Sequence, residues 1–257
     1  MMQVTISSNM MKYKIADLIA EVPTSGGLAS RCEDYVYDGE GCADITIRTE
    51  LYRKEIYNSS VSEDIVAYME SARQFYHQLV DFEGFYLHSS AVELNGKVYL
   101  FSGPCRAGKS THTRLWQTVF GEKARIINDD KPALRRVDGV WYAYGTPWCG
   151  KDGININDKA PVAGVCFMKK ASENKIRRLD QVEAMRKVLM QTIHKFDDKE
   201  RLTKLFQSLD LFLREIPVYE LENVPEPSAA LLSYETMHAG VSHKENRLDP
   251  GSVNYFV

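Results

Sequence analysis

The chain has 257 residues, of which 44% are hydrophobic and 26% charged, values typical of a globular protein with a sizeable core. Its 32 basic and 35 acidic residues give a net charge of −3, which argues against binding to nucleic acid or an anionic membrane through a basic surface. No apolar run reaches about 18 residues, and positive charge does not precede the apolar N-terminal pieces, so we expect no membrane span, no secretion signal and a cytoplasmic protein. Five cysteines without a CxxC pair favour reduced thiols.

The first part of the sequence, residues 1–84, is predicted to form a small β layer followed by a linking helix. Short apolar segments predict strands at 4–6 and 12–15, and a stretch that contains Gly and Ser predicts a loop at 25–30. At 43–48, apolar and polar residues alternate, which is the pattern of a strand with one buried face. We therefore expect a β layer ahead of the main domain.

The linking helix is indicated by a capping-box spacing followed by helical periodicity. Ser60 and Glu63 stand three positions apart, so each side chain can bond the backbone N–H of the other. Apolar residues then recur at steps of three or four, which predicts a helix through about residue 80 with one buried stripe. The stripe consists of Ile65, Met69, Ala72, Tyr76 and Leu79.

Residues 85–237 are predicted to form the main domain, an α/β (α+β) unit with flanking helices and a mixed, partly antiparallel sheet. Predicted strands at 90–94 and 97–102 are separated by Asn95-Gly96, the dipeptide most typical of a tight hairpin. These two strands should therefore be antiparallel neighbours.

The middle of this domain alternates between helical and strand patterns. A helix is predicted at 110–120, a strand at 124–128, and a second hairpin at 133–137 and 140–144 across a central Asp-Gly. The apolar run at 162–168 is typical of a strand covered on both faces.

The last predicted elements are two helices and one strand. The helices are expected from about 181 to 193 and over 202–212, and the strand over 218–221. After residue 237 the sequence is polar and has no period, so we expect 238–257 to be a mobile tail.

One segment carries a strong chemical signal. Residues 103–110 read Gly-Pro-Cys-Arg-Ala-Gly-Lys-Ser, which satisfies the G-x-x-x-x-G-K-[ST] pattern of a P-loop, directly after a predicted strand and directly before a predicted helix. The glycines let backbone N–H groups surround phosphate oxygens, and the helix start adds its positive dipole end. Lys109 is expected at the β/γ-phosphates and Ser110 at Mg²⁺, although Ser110 also fits a plain N-cap. The predicted nucleotide-binding residues are Gly103, Pro104, Cys105, Arg106, Ala107, Gly108, Lys109, Ser110 and Thr111.

A pair of carboxylates follows this loop at a short interval. Asp129-Asp130 ends the predicted strand that comes directly after the loop's helix. Phosphoryl transfer needs charge neutralised by Mg²⁺ and a hydroxyl deprotonated as it attacks, and two adjacent acids can serve these two needs. The alternative is that Asp129-Asp130 only forms a turn. The pair follows a P-loop, its helix and a strand, and this order favours a role in phosphoryl transfer.

Together these elements resemble the kinase domain of HPr kinase/phosphorylase, a family related to the phosphoenolpyruvate carboxykinases. The matching elements are His88 before a short hairpin, the 103–110 loop, the strand that ends in Asp129-Asp130, and Lys-Asp-Gly-Ile-Asn-Ile at 151–156. The resemblance covers about residues 85 to 235 and is closest to short, stand-alone relatives associated with bacterial peptide-modification gene clusters. It implies Asp129 as the base and Asp130 as the metal-side acid, with the reverse order left open.

Several further side chains are candidates for the same site. His88 could contact the γ-phosphate or the acidic pair, and Lys151 could lie over the phosphates, whereas a packed histidine and a solvated lysine are the ordinary alternatives. Arg106, His112 and Arg114 suggest a positive edge for phosphate or an acidic substrate.

The leading hypothesis is an ATP- and Mg²⁺-dependent kinase that phosphorylates a hydroxyl, above all a Ser of a peptide or small protein. Its predicted catalytic residues are Asp129, Asp130, His88 and Lys109. One alternative is a nucleotide-binding sensor without turnover, which Thr111 keeps open because the family usually has Glu at that position. The other is a carboxykinase-like enzyme acting on a small carboxylate. The sequence does not determine whether the protein forms a homo-oligomer.

Overall fold

The computed structural model describes residues 10–23, 26–192, 196 and 198–248. The fold is mixed α/β, with a three-stranded sheet near the N-terminus and a curled nine-stranded mixed sheet behind it. Within these ranges no helix has both the length and the apolar character that crossing a membrane requires. All five cysteines are free, as the sequence predicted.

The N-terminal layer contains β1 (Met10–Ile15), β2 (Leu18–Pro23) and β3 (Ile45–Thr46), with β1 antiparallel to β2 and β2 parallel to β3. The strand predicted at 4–6 lies outside the described residues. A short helix, α1 (Gly26–Arg31), occupies most of the segment predicted as a loop, so that prediction is wrong. The Gly and Ser content suggested a loop, but Leu28 is buried in the core of this layer and holds the turn of helix in place.

The linking helix, α2 (Glu63–Leu79), has its N-cap two residues later than predicted. Ser62 is the N-cap, and its hydroxyl accepts the N–H of Ile65. The apolar stripe was predicted correctly only in its second half, because Ile65 and Met69 are exposed. The buried face instead includes the polar side chain of Glu70, which a hydropathy pattern does not count as core.

The nine-stranded sheet follows the order β4-β8-β9-β10-β6-β5-β7, with β12 paired to β10 and β11 paired to β12. Both predicted hairpins are present, and β5 and β6 pair antiparallel across Asn95-Gly96, where both residues have positive φ. The charged segment of β11 was not predicted as a strand. The strands are β4 (Gly84–Tyr86), β5 (Ser89–Leu94), β6 (Lys97–Ser102), β7 (Arg125–Asn128), β8 (Ala133–Val137), β9 (Val140–Tyr144), β10 (Lys159–Lys170), β11 (Lys175–Arg178) and β12 (Val218–Asn223).

Helices cover both faces of the sheet. The first pair, α3 (Lys109–Phe120) and α6 (Pro227–Leu248), packs on one face around Trp116, while α4 (Gln181–Leu189) and α5 (Lys199–Glu215) pack on the other. Helix α6 runs on to Leu248, into the segment predicted as a tail from residue 238, because buried residues such as Met237 fix it against the sheet. Residues 249–257 lie outside the described part of the chain.

Strand β10 determines where a ligand can approach. Its first residues pair antiparallel with β9, and its later residues lie between β6 and β12, to which it is parallel. The carboxyl ends of β6, β10 and β12 consequently meet at one edge of the sheet. Open sheets of this kind bind ligands at the carboxyl ends of parallel strands.

Gly145 shows how tightly the chain is packed behind that edge. Its N–H donates to the carbonyl of Asp158, and a Cβ built on it would lie 1.8 Å from the carbonyl oxygen of Ile156 and 2.7 Å from that of Ile127. Both neighbours are backbone atoms, so no side chain can move aside. Only glycine fits at this position.

We therefore predict that Gly145→Ala destabilises the protein by roughly 3 kcal/mol, the upper part of the usual cost of overpacking. Gly27→Ala is the matched control, because Gly27 lies in α1 with no atom within 4 Å of an added Cβ. Urea denaturation measures both changes. Equal stabilities for wild type and Gly145→Ala would contradict the packing described here.

Candidate functional site

Strand register brings the predicted site residues together. Strand β5 is antiparallel to both neighbours, pairing Ser89 with Ser102 of β6 and Ala91 with Asn128 of β7. The chain before β5 therefore lies beside the residues that follow β6 and β7. The N–H of Ser89 donates to the carbonyl of Asp130 at 3.1 Å and fixes this arrangement. His88, the 103–110 loop and the acidic pair thus lie at one edge.

The 103–110 loop has an unusual backbone. Gly103, Arg106 and Gly108 all have positive φ, and the N–H of Ala107 donates to the carbonyl of Pro104 at 3.1 Å. Gly108 is the N-cap of α3 and provides no side-chain hydrogen bond. Ser110 is therefore not the cap of this helix. Because Gly108 has no side chain, it cannot accept the first N–H groups of α3. Uncapped N–H groups at a helix start favour the binding of an anion.

Lys109 folds back onto the loop. Its Nζ donates to the carbonyl oxygens of Gly103 at 3.1 Å and Pro104 at 3.4 Å. Burial lowers the pKa of Lys109, and the negative charges of Asp130 and Asp129 oppose that shift. The ammonium group is thus held on the loop by neutral carbonyl acceptors, which an anion such as phosphate would displace.

A cavity of about 490 Å³ opens at the loop. It lies at the carboxyl ends of the parallel strands, and its far wall was not predicted from the sequence. Asn223, one residue of that wall, is buried, and its Oδ1 has no hydrogen-bond partner in the described part of the chain. The cavity is lined by Arg106, Ala107, Gly108, Lys109, Ser110 and Thr111 of the loop and helix start, and by Lys170, Ala171, Asn223 and Pro225 across from them. Cys105 is exposed.

The two carboxylates of the acidic pair differ in their partners. Nε2 of His88 lies 3.2 Å from Oδ1 of Asp130, and Nζ of Lys131 contacts its Oδ2. Burial by itself would raise the pKa of Asp130, but the contacts with His88 and Lys131 outweigh burial and hold it below its usual range. Oδ1 of Asp129, by contrast, is buried and has no hydrogen-bond partner among the described residues. Asp130 is a paired anion, and Asp129 keeps one oxygen for a ligand.

Two amide side chains that sequence reasoning missed hold this turn. Oδ1 of Asn128 accepts the N–H groups of Asp130 at 3.0 Å and Lys131 at 2.7 Å. Gln191 accepts the N–H of His88 at 2.7 Å through its carbonyl, and its Oε1 lies 3.1 Å from Nδ1 of the same residue. An Asn directly before two acids is a typical turn signal, whereas Gln191 is distant in sequence and carries no local signal.

Lys151 is placed differently from its prediction. It is exposed and lines a second cavity, of about 410 Å³, together with Asp130 rather than the cavity at the loop. Its turn is tied to α3, since Arg114 pairs with Asp152 at 2.8 Å. Gly150 of the same turn donates its N–H to the hydroxyl of Tyr68 at 3.0 Å. Lys151 is consequently near the acids and on the side of α2.

Of the three residues predicted to form a positive edge, two do not contribute free positive charge, and Arg106 remains. Arg114 is neutralised by its carboxylate partner, and His112 is buried, with Nε2 3.0 Å from the hydroxyl of Ser233. Burial lowers the pKa of His112 to about 4, so this residue is uncharged at neutral pH. Its role is to join α3 to α6.

A divalent cation would need ligands beyond the protein. The described residues contain no group of three or more His, Cys, Asp or Glu side chains arranged to hold a metal. Mg²⁺ commonly takes one or two protein oxygens and completes its shell with phosphates and water. The unpaired Oδ1 of Asp129 and the hydroxyl of Ser110 fit that requirement, provided that a phosphate lies in the loop.

Comparisons with known proteins add little. No protein-family profile matches the sequence, and no curated protein sequence matches it. Among solved structures, the HPr(Ser) kinase/phosphatase from Coxiella burnetii aligns with 64% of this chain and 94% of its own length, at 12% identity and a TM-score of 0.35. At that TM-score the similarity says nothing about activity, which has to follow from the residues of this chain.

The buried His112 predicts a pH-dependent stability. Its folded pKa of about 4 lies below the usual 6.5, so the unfolded chain binds more protons between these values and stability falls as the pH drops through that window. Between pH 7 and pH 5 we expect His112 to contribute a loss of about 2 kcal/mol. His112→Gln should remove that part of the pH dependence in urea denaturation. An unchanged pH dependence would show that His112 is not buried in its neutral form.

Proposed function

We propose that this protein is an ATP- and Mg²⁺-dependent kinase with a fold of the HPr kinase type, which transfers the γ-phosphate to a hydroxyl, above all a Ser of a peptide or small protein. The observation that carries the proposal is the meeting of the 103–110 loop and two carboxylates at one sheet edge, with Lys109 between them. A turn that served only to connect β7 and β8 would not need two carboxylates beside the loop.

The loop and the start of α3 are proposed to bind the phosphates. Backbone N–H groups of the loop supply donors, and Lys109 exchanges its two carbonyl contacts for phosphate oxygens, which form stronger charge-assisted bonds. The wall formed by Lys170 and Asn223 then faces the nucleoside, and the unpaired Oδ1 of Asn223 is an acceptor suited to an amino group.

Ser110 and Asp129 are proposed to hold Mg²⁺. When bound, Mg²⁺ neutralises negative charge on the β- and γ-phosphates. The free Oδ1 of Asp129 favours this residue over Asp130, because both oxygens of Asp130 are already occupied by His88 and Lys131. The contacts thus favour the reverse of the order implied by the family resemblance.

Asp130 is proposed to accept the proton of the attacking hydroxyl. The contacts with His88 and Lys131 that lower its pKa keep the carboxylate ionised at neutral pH, so that it can accept a proton. Gln191 fixes the ring of His88 from the other side. His88 is therefore a positioning residue that acts through Asp130.

Lys109→Ala should weaken MgATP binding at least about tenfold, because it removes the charge-assisted bonds to the phosphates. Lys123→Ala is the matched control, since Lys123 is exposed at the far end of α3. Isothermal titration calorimetry gives both dissociation constants. Equal affinity in wild type and Lys109→Ala would refute the role of the loop.

The two acids should give different phenotypes. Asp130→Asn should slow ATP turnover by about 100-fold or more while MgATP still binds, because the amide cannot accept the proton. Asp129→Asn should raise the Mg²⁺ concentration needed for nucleotide binding, because it removes a charged oxygen ligand. Asp138→Asn, in an exposed hairpin turn, is the control.

Exchanged phenotypes would restore the order implied by the family resemblance and leave the kinase proposal intact. Wild-type behaviour of both variants would show that the pair is only a turn. Tight MgATP binding without turnover in the wild type would favour a nucleotide-binding sensor.

A further inference from the structure

The second cavity joins the N-terminal layer to the proposed reaction centre. It has a volume of about 410 Å³ and lies between α1, α2 and the turn at 150–151. Asp130 lines it, and the charge of the same carboxylate acts on Lys109 of the loop cavity. A molecule in the second cavity would therefore reach Asp130 from the side of α1 and α2.

The wall from the N-terminal layer is apolar. Leu28 of α1 contributes to it, together with Ile65 and Met69 of α2, whose exposed fractions are 53% and 40%. The sequence predicts Ile65 and Met69 as core residues, and the structure leaves them uncovered. Side chains of this kind beside a cavity offer a surface for an apolar group of a ligand.

The charged groups around the cavity favour an anionic ligand. Arg31 lies over the ring of Tyr68 at 5.0 Å from its centroid, and Lys151 is exposed on the facing turn. Neither has a carboxylate partner within the described residues, whereas Lys131 is already paired with Asp130. Asp64, at the start of α2, is an opposing charge on this wall, and no ion pair of Asp64 with another described residue is present.

We infer that this cavity binds the phosphate acceptor as an extended peptide segment, with an apolar side chain on Ile65 and Met69 and an acidic side chain near Arg31 and Lys151. The inference rests on the proposed kinase function and adds the place where the acceptor binds and the side chains that it prefers on either side of the serine. The serine oxygen forms its bond to the γ-phosphorus as the bond from that phosphorus to the β–γ bridging oxygen breaks. The leaving electron pair stays with ADP, and the hydroxyl proton passes to Asp130.

The test is a positional array of synthetic serine peptides with radiolabelled MgATP. Wild type should prefer peptides with Leu on one side of the serine and Glu on the other over the same peptides with Lys, by about three- to fivefold, the effect of one partly exposed ion pair. Arg31→Glu should abolish or invert the preference between Glu and Lys. Lys123→Glu, the same change at an exposed position away from the cavity, should retain it. Ile65→Ser should reduce the preference for Leu alone.

MgATP titration of the wild type separates the possible failures. Transfer to peptides without a charge preference, or with a preference that Arg31→Glu does not change, would overturn the acceptor inference and leave the kinase proposal standing. Transfer to none of the peptides by a protein that binds MgATP would also overturn it. A wild type that binds no MgATP would overturn the proposed function and this inference together.

Discussion

The arrangement of the site depends on one strand, β5, which is antiparallel to both of its neighbours. Strands β6 and β7 therefore end where β5 begins, and the hydrogen bond from the N–H of Ser89 to the carbonyl of Asp130 closes the edge. A parallel neighbour would place the residues after its strand at the opposite edge. The loop, His88 and the acidic pair share one place because of this register.

Several groups at that edge keep unsatisfied or weak contacts. Oδ1 of Asp129 and Oδ1 of Asn223 are buried without a partner in the described part of the chain, and each such group costs about 1–3 kcal/mol. Among the described residues, the hydrogen-bond acceptors of Lys109 are the neutral carbonyl oxygens of Gly103 and Pro104. These features lower stability locally and are the features that a ligand would satisfy. Elsewhere the fold is closely packed, as the backbone contact at Gly145 shows.

Local sequence signals predicted the parts of the site that are encoded locally. Asn95-Gly96 fixed the hairpin, and the pattern at 103–110 located the loop between a strand and a helix. Residues that reach the site through tertiary contacts were missed, among them Gln191 and Asn223. They come from a segment after α4 and from the end of β12, which no local pattern links to the loop.

The interpretation of α2 failed for another physical reason. Its buried face includes Glu70, which binds Arg53 and Arg73, while Ile65 and Met69 face outward. Hydropathy assigns polar residues to the surface, so the predicted buried face of a helix that buries an ion-paired carboxylate is turned away from the true one. The outward-facing Ile65 and Met69 line the cavity that we propose as the acceptor site.

The central claim is that the 103–110 loop holds nucleotide phosphates facing the acidic pair. A crystal structure with Mg²⁺ and the non-hydrolysable ATP analogue AMP-PNP tests it most directly. The account predicts phosphates against the backbone N–H groups of the loop, Nζ of Lys109 moved from the carbonyls of Gly103 and Pro104 to a phosphate oxygen, and Oδ1 of Asp129 on the side of the metal. An analogue bound at another place, with Lys109 still on those carbonyls, would contradict it.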